Sequence, residues 1–181
     1  MRLKGKKIKL SQVICLILYY GFAQYLPSSN TCLNIGGLVR YFLCKKIFKK
    51  CGEHVNIERK AHFATGIDIE IGDFSGIGIN AHIPNGTIIG DYVMMGPNCF
   101  ILDVNHNTTN TTIPMCKQGM TEKKITRIGN DVWIGRDVHI TSGRTIADGS
   151  IIAMASVLTK DFPEYSIIGG NPAKLIRNRL I

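Results

Sequence analysis

Ile71-Gly72-Asp73-Phe74-Ser75-Gly76-Ile77-Gly78-Ile79-Asn80-Ala81-His82-Ile83 is the stretch that decides the fold. An aliphatic residue returns at every sixth position, and the series runs on through Ile89, Met95 and Ile101. It breaks, then resumes as Ile128, Ile134, Ile140, Ile146, Ile152 and Leu158. Six is no helical spacing, because six steps rotate a side chain by about 600° and scatter the anchors around the axis. On strands an even spacing keeps one face. Each hexapeptide therefore reads as a short strand and a bend, with the anchor pointing inward. Four positions after the anchor the residue is mostly small (Ser75, Ala81, Thr87, Val93, Cys99, then Val132, Val138, Ser150, Ser156), which suits a crowded inner corner; Arg144 breaks the rule. Glycine often follows the anchor (Gly72, Gly78, Gly90, Gly96, Gly129, Gly135), where it is expected to give the bend its backbone freedom. The turns of a β-sandwich are more widely spaced than this, so the period predicts an all-β solenoid in which each coil rests on its neighbours.

Working outward, Ile57, Phe63 and Ile69 echo the period with a displacement of two residues. The coil is thus expected to begin near His54 and to slip register around Gly66. Between the two blocks, residues 103–126 are polar, contain Pro114 and Gly119, and break the period. A long excursion from a regular coil is a functional signal. Before the coil, residues 10–26 and Cys32 to Lys50 read as two helices joined around Pro27-Ser28-Ser29-Asn30. After it, Ala173 to Leu180 reads as a short basic helix. The expected organisation is an N-terminal helical segment over 1–51, the solenoid over 52–165, and a terminal turn and short helix over 166–181.

Charge sorts the classes of partner. The chain of 181 residues carries +9, but residues 1–60 hold 12 Lys or Arg against 2 acids, while residues 61–181 hold 10 against 11. The basicity belongs to an arm. A nucleic-acid binder would place a basic face with aromatics on the folded domain, so that class is set aside. A basic arm beside apolar sequence fits an anionic membrane surface better, which suggests peripheral membrane contact. The apolar run from Val13 to Tyr20 is short for a span of about 20 residues, and no A-x-A-like cleavage site follows it. The six cysteines include no C-x-x-C spacing and read as reduced thiols. The expected location is the cytoplasm, with contact at the inner face of the membrane.

The hexapeptide series resembles the left-handed parallel β-helix acyltransferases. Asp131-Val132-Trp133-Ile134-Gly135, Ser156-Val157-Leu158-Thr159-Lys160-Asp161-Phe162-Pro163 and Ile168-Gly169-Gly170-Asn171-Pro172-Ala173-Lys174 resemble three of that family's signature runs. Asn105-His106 matches its catalytic Asn-His pair, and Ile113-Pro114-Met115-Cys116-Lys117-Gln118-Gly119 resembles the loop of its colanic-acid and capsular polysaccharide O-acetyltransferase branch. The resemblance spans about 52 to 177. It implies a left-handed coil, a homotrimer with active sites between subunits, and acetyl-CoA in the groove between adjacent coils.

By that resemblance His106 is the general base that takes the proton of an acceptor hydroxyl, without a covalent acyl-enzyme. Imidazole suits such a role near neutral pH. Asp103 either orients His106 or caps the loop. Trp133, Arg136 and Met154 line the pantetheine path; Thr159, Lys160, Lys174 and Arg177 meet the nucleotide end, where cations suit a phosphorylated ligand. Trp133 could instead belong to the core, and Lys174 and Arg177 to a solvated tail. The oxyanion needs donors. The asparagine that helps in the galactoside branch aligns with Gly76, which leaves backbone N–H groups such as that of Arg136. Ala153-Met154-Ala155-Ser156 stands where the family has Gly-Ala-Gly-Ser. The implied reaction is O-acetylation of a sugar hydroxyl in polysaccharide biosynthesis, with no metal required. N-acetylation of an amino sugar and a non-catalytic scaffold are the alternatives. A zinc carbonic anhydrase on the same coil would need a histidine five positions after His106, where Thr111 stands.

Overall fold

The computed structural model describes residues 2–3 and 6–180, with the backbone alone at 2–3, 6–7 and Cys32. The readings of Met1, Lys4, Gly5, Ile181 and the Cys32 thiol lie outside the described residues.

The period becomes a three-walled parallel solenoid. The first wall stacks Lys50–Cys51, Glu70–Ile71, Ile88–Ile89, Arg127–Ile128 and Thr145–Ile146. The second carries Asn56–Ile57, Gly76–Ile77, Met94–Met95, Trp133–Ile134, Ile151–Ile152 and Ser166–Gly169. The third carries His62, His82, Phe100–Ile101, His139–Ile140 and Val157–Leu158. In each pair the second residue is the anchor, and the anchors stack into the core: Ile71, Ile77, Ile83, Ile134 and Ile152 are all buried. Burying each such side chain contributes about 1.5–3 kcal/mol, which is why the period dominates the sequence.

Register shows where the coil is interrupted. His82 pairs with Phe100, and His139 with Val157, each across one regular coil of three hexapeptides. The coil from His62 to His82 is two residues longer, the slip expected around Gly66. Phe100 pairs directly with His139 although the whole excursion lies between them in sequence. The excursion therefore leaves the coil at one corner without displacing the walls. The first strand of the coil lies at Lys50–Cys51, slightly earlier than expected.

The glycines after the anchors act through space rather than through torsion. None of Gly72, Gly78, Gly90, Gly96, Gly129 and Gly135 has positive φ. A Cβ on Gly135 would lie 2.6 Å from the backbone nitrogen of Met154, one coil along. The left-handed residues come two positions later, at Phe74, Asn80, Tyr92, Asn98, Asp131, Asp137 and Ala155. One corner is tied by a polar ladder: the carboxylate or amide oxygens of Asp73, Asp91, Asn130 and Asp148 each accept from a backbone N–H of the coil before.

Two antiparallel helices close the N-terminal end, α1 (Leu10–Gly21) and α2 (Ile35–Ile47). Gln12 Nε2 donates to Ile47 O at 3.0 Å, setting the start of α1 beside the end of α2. Arg40, fully buried, fastens this cap to the first coil. Its guanidinium donates to Ile57 O (2.6 Å), Leu26 O (3.1 Å) and Pro27 O (3.1 Å), and Glu58 lies 3.9 Å away.

The other end corrects an expectation. Lys174–Asn178 is a strand, not a helix, paired antiparallel to Ser166–Gly169. The last coil leaves a sheet edge with unpaired backbone groups, and the tail supplies the partner that an isolated segment would lack.

Candidate active site

The excursion is a twisted hairpin whose arms leave Leu102 and return to Arg127. Thr121 N donates to Asn105 O at 2.7 Å, Asn107 N to Gly119 O at 3.0 Å, and Lys124 N to Asp103 O at 3.0 Å. Asn107 Nδ2 also donates to Gln118 O and Met120 O, while Gln118 Nε2 donates to Asn110 O and Ile113 O. Polar pairing thus takes the place of burial. Near the tip, Thr108, Asn110, Thr112, Ile113, Pro114 and Met115 line an open hollow of about 500 Å³.

His106 sits on the outgoing arm, and its backbone pairs with Met120. Asn105 Oδ1 accepts from the His106 N–H at 2.9 Å, which fixes the turn before the imidazole. The ring is exposed and has no hydrogen-bond partner among the described residues. Asp103 lies at the base of the arm, where its carboxylate pairs with Lys123 Nζ at 3.0 Å. Below the excursion the third wall carries a column of rings: His62 stacks on His82 at 4.8 Å, and His82 on Phe100 at 4.7 Å. Burial and the neighbouring His62 hold the His82 imidazole below its ordinary range, against the pull of Asp103.

The seven residues assigned to the cofactor are all exposed. Trp133 points outward from the second wall with half its surface exposed (51%), so the core reading of this residue fails. Arg136 and Met154 follow on the corner between the second and third walls, one coil apart. Their backbone N–H groups donate to nothing among the described residues. Thr159 and Lys160 lie at the end of the third wall, near the turn that leads into Lys174, because Ala173 N donates to Val157 O at 2.9 Å. Lys160 Nζ lies 5.4 Å from the centre of the Phe162 ring. Arg177 stands further along the terminal strand, opposite Ile167. The structure therefore aligns Trp133, Arg136 and Met154 and sets Thr159, Lys160 and Lys174 beyond them.

Within one chain, however, His106 belongs to the corner after the third wall and Trp133 to the second wall, so the width of a wall separates them. Met94 is a neighbour of Trp133 that the motifs do not mark. It pairs with Trp133, is exposed, and with Phe74 and Tyr92 extends the apolar strip. Its signal is positional, since Met94 occupies the outward slot one coil before Trp133.

Among the described residues no group of three or more His, Cys, Asp or Glu side chains is placed to hold a metal ion. Cys99, buried with its thiol pushed up to about 11 by desolvation, is a core residue.

A family model described as "Bacterial transferase hexapeptide (six repeats)" matches residues 68–103 and 125–160, the two blocks that flank the excursion. The galactoside O-acetyltransferase of Escherichia coli is 34% identical over 140 residues, 76% of this chain and 68% of that protein. A probable acetyltransferase of Mycobacterium tuberculosis is 40% identical over 91 residues, which span 50% of this chain and 30% of that protein. Among solved structures, a hexapeptide-repeat acetyltransferase of Vibrio cholerae complexed with acetyl coenzyme A superposes with a TM-score of 0.72 at 27% identity, covering 97% of this chain and 94% of that one. The solenoid is thus of the left-handed β-helix type.

Proposed function

Since the chain belongs to the hexapeptide-repeat acetyltransferase family, we propose that it moves an acetyl group from acetyl-CoA to a sugar hydroxyl in polysaccharide biosynthesis. The observation that carries this reading is the exposed imidazole of His106 on the excursion, which has no hydrogen-bond partner among the described residues. In the proposed step the imidazole takes the proton of the acceptor O–H as the oxygen attacks the thioester carbon. The C–S bond then breaks, and the thiolate of CoA recovers the proton from the imidazolium. Direct transfer needs no acyl-enzyme. The open N–H groups of Arg136 and Met154 supply donors for the pantetheine and for the developing oxyanion. Lys160 and Lys174, with Thr159 and Arg177, receive the phosphorylated end. Asp103 acts at one remove: by gripping Lys123 it closes the base of the excursion and steadies the arm that bears His106.

The same reading includes a homotrimer. The strip of Phe74, Tyr92, Met94 and Trp133 is a large apolar surface for a monomer to leave in water. A second copy laid against it would bring its own excursion to the first chain's cofactor line, which one chain leaves a wall apart. The polysaccharide branch of the family is proposed on the excursion residues Ile113 to Gly119. It places the work in the cytoplasm, at the inner face of the membrane.

Calorimetric titration of acetyl-CoA into the protein tests the reading without a guess at the acceptor. Saturable binding near one per subunit, weakened at least tenfold by Lys160→Ala with Lys174→Ala, is the expected result. Absence of binding at millimolar ligand by the folded protein would overturn it.

A further inference from the structure

The helical cap carries a surface that the transfer reading does not use. A surface helix normally sets polar residues opposite its packed face. In α1 the packed face holds Tyr19, Leu16 and Cys15, yet the opposite face holds Leu10, Ile14, Ile17 and Leu18, all exposed. α2 repeats this with Leu38 and Phe42. Exposure of 76% at Leu10, 66% at Ile17 and 63% at Phe42 excludes a marginal effect.

Both helices are tied to the first coil on their inner sides. Tyr19 Oη donates to Ala61 O, Tyr20 Oη to Ala64 O, and Arg40 Nε to Ile57 O. Their apolar sides accordingly turn away from the end of the solenoid. Because the helices are antiparallel, Lys9 at the start of α1 and Lys45 and Lys46 at the end of α2 gather at one end of this face. Lys45 is paired with Glu53. Lys9, Lys46 and Lys50 make no ion pair among the described residues.

We infer that this face docks on an anionic lipid bilayer, α1 and α2 lying in the interface with their lysines toward the headgroups. A helix of 12 or 13 residues is about 20 Å long, too short to span about 30 Å of hydrocarbon. No helix among the described residues is long and apolar enough to cross a membrane. An apolar face rimmed by lysine on short helices is the pattern of interfacial binding. A second copy fits less well, because two caps face to face would oppose two segments that each carry 12 basic residues against 2 acids over residues 1–60. The cap is also axial, whereas the strip around Trp133 is lateral, so trimer formation would leave it free and set three such faces in one plane, with a gain in avidity.

The inference gives the membrane contact proposed above a surface, yet it stands on geometry that does not involve acetyl transfer. Its test is co-sedimentation of the full chain with vesicles of phosphatidylglycerol and phosphatidylcholine, mixed and phosphatidylcholine alone. Binding to the mixed vesicles is expected, falling about fivefold for each of Lys9→Gln and Lys46→Gln, and at least tenfold for Ile14→Glu with Ile17→Glu. Equal binding by this double variant, or no binding by the native chain, would overturn the inference. So would a lower oligomeric mass of the variant without lipid, since the face would then cover another copy. Acetyl-CoA titration of the same variant keeps the two readings apart: docking lost with cofactor binding retained is the expected pair.

Discussion

The coil and the excursion obey different rules. In the coil, position is set by burial: Ile134 is fully buried between Met95 and Ile152. In the excursion, Gln118 and Asn107 hold the arms through hydrogen bonds to carbonyls, while Ile113, Met115 and Met120 remain exposed. One region is thus shaped by what it hides, the other by what it presents. Stability should reside in the first and chemistry in the second.

The largest expected effect tests the second half of that division. His106→Ala should lower the rate of acetyl transfer by about 10²–10⁴, while the melting temperature stays that of the native chain. A parallel loss of melting temperature would show that the excursion also supports the coil. Ile134→Ala should do the converse, costing about 2–5 kcal/mol, read by denaturant unfolding. Acetyl-CoA affinity should be kept as long as the chain is folded. Replacing the tip, residues 108–118, by a short glycine linker should change unfolding free energy by less than about 1 kcal/mol, because loop length enters only logarithmically. A larger change would mean that the tip packs on the walls.

The boundary between the two regions should respond to pH. The His82 imidazole is held below its ordinary value of 6.5, so the unfolded chain binds the proton more tightly than the folded one. The stability this confers is present above pH 6.5 and is lost as pH falls through the depressed value. Protection of the amides from Phe100 to His106, taken relative to their intrinsic exchange rates, should fall on acidification, and His82→Phe should flatten that dependence. The smallest effect belongs to Ala155, at φ 58° in a corner that favours glycine. Ala155→Gly should relieve about 1–2 kcal/mol of strain and add about 0.5–1 kcal/mol of chain entropy cost. A net gain of roughly half a kcal/mol should be seen in the unfolding free energy from denaturant titration.

The same division governs what can be read from sequence. The anchors are legible because each repeats one physical demand, and eleven of the twelve are buried, with Met95 half-buried. The slip at Gly66 is legible as a phase shift. Phe162, in contrast, takes the place opposite Ile146 that an unbroken period would give to Glu164, because the last coil is two residues shorter. The terminal strand reads as a helix in sequence because Lys174 to Asn178 owes its conformation to pairing with Ser166–Gly169 at the edge of the last coil, which no local pattern records. The glycines stand out in the repeat, but torsion is the wrong reason for them; the backbone of the next coil is the right one. At the candidate site, His106 and the lysines are expectations from residue type, and the structure adds only that they are exposed. The wall that lies between His106 and Trp133 cannot be read, since no periodicity records which corner a loop leaves.

The hairpin inserted between Phe100 and His139 leaves the strand pairing on either side intact. A solenoid corner is therefore a socket: chain can be lengthened, shortened or exchanged there without a cost to the scaffold. Lineages built on such a coil can exchange one hairpin while the fold descends unaltered. Acceptor preference and ancestry should accordingly be recorded in different parts of the gene.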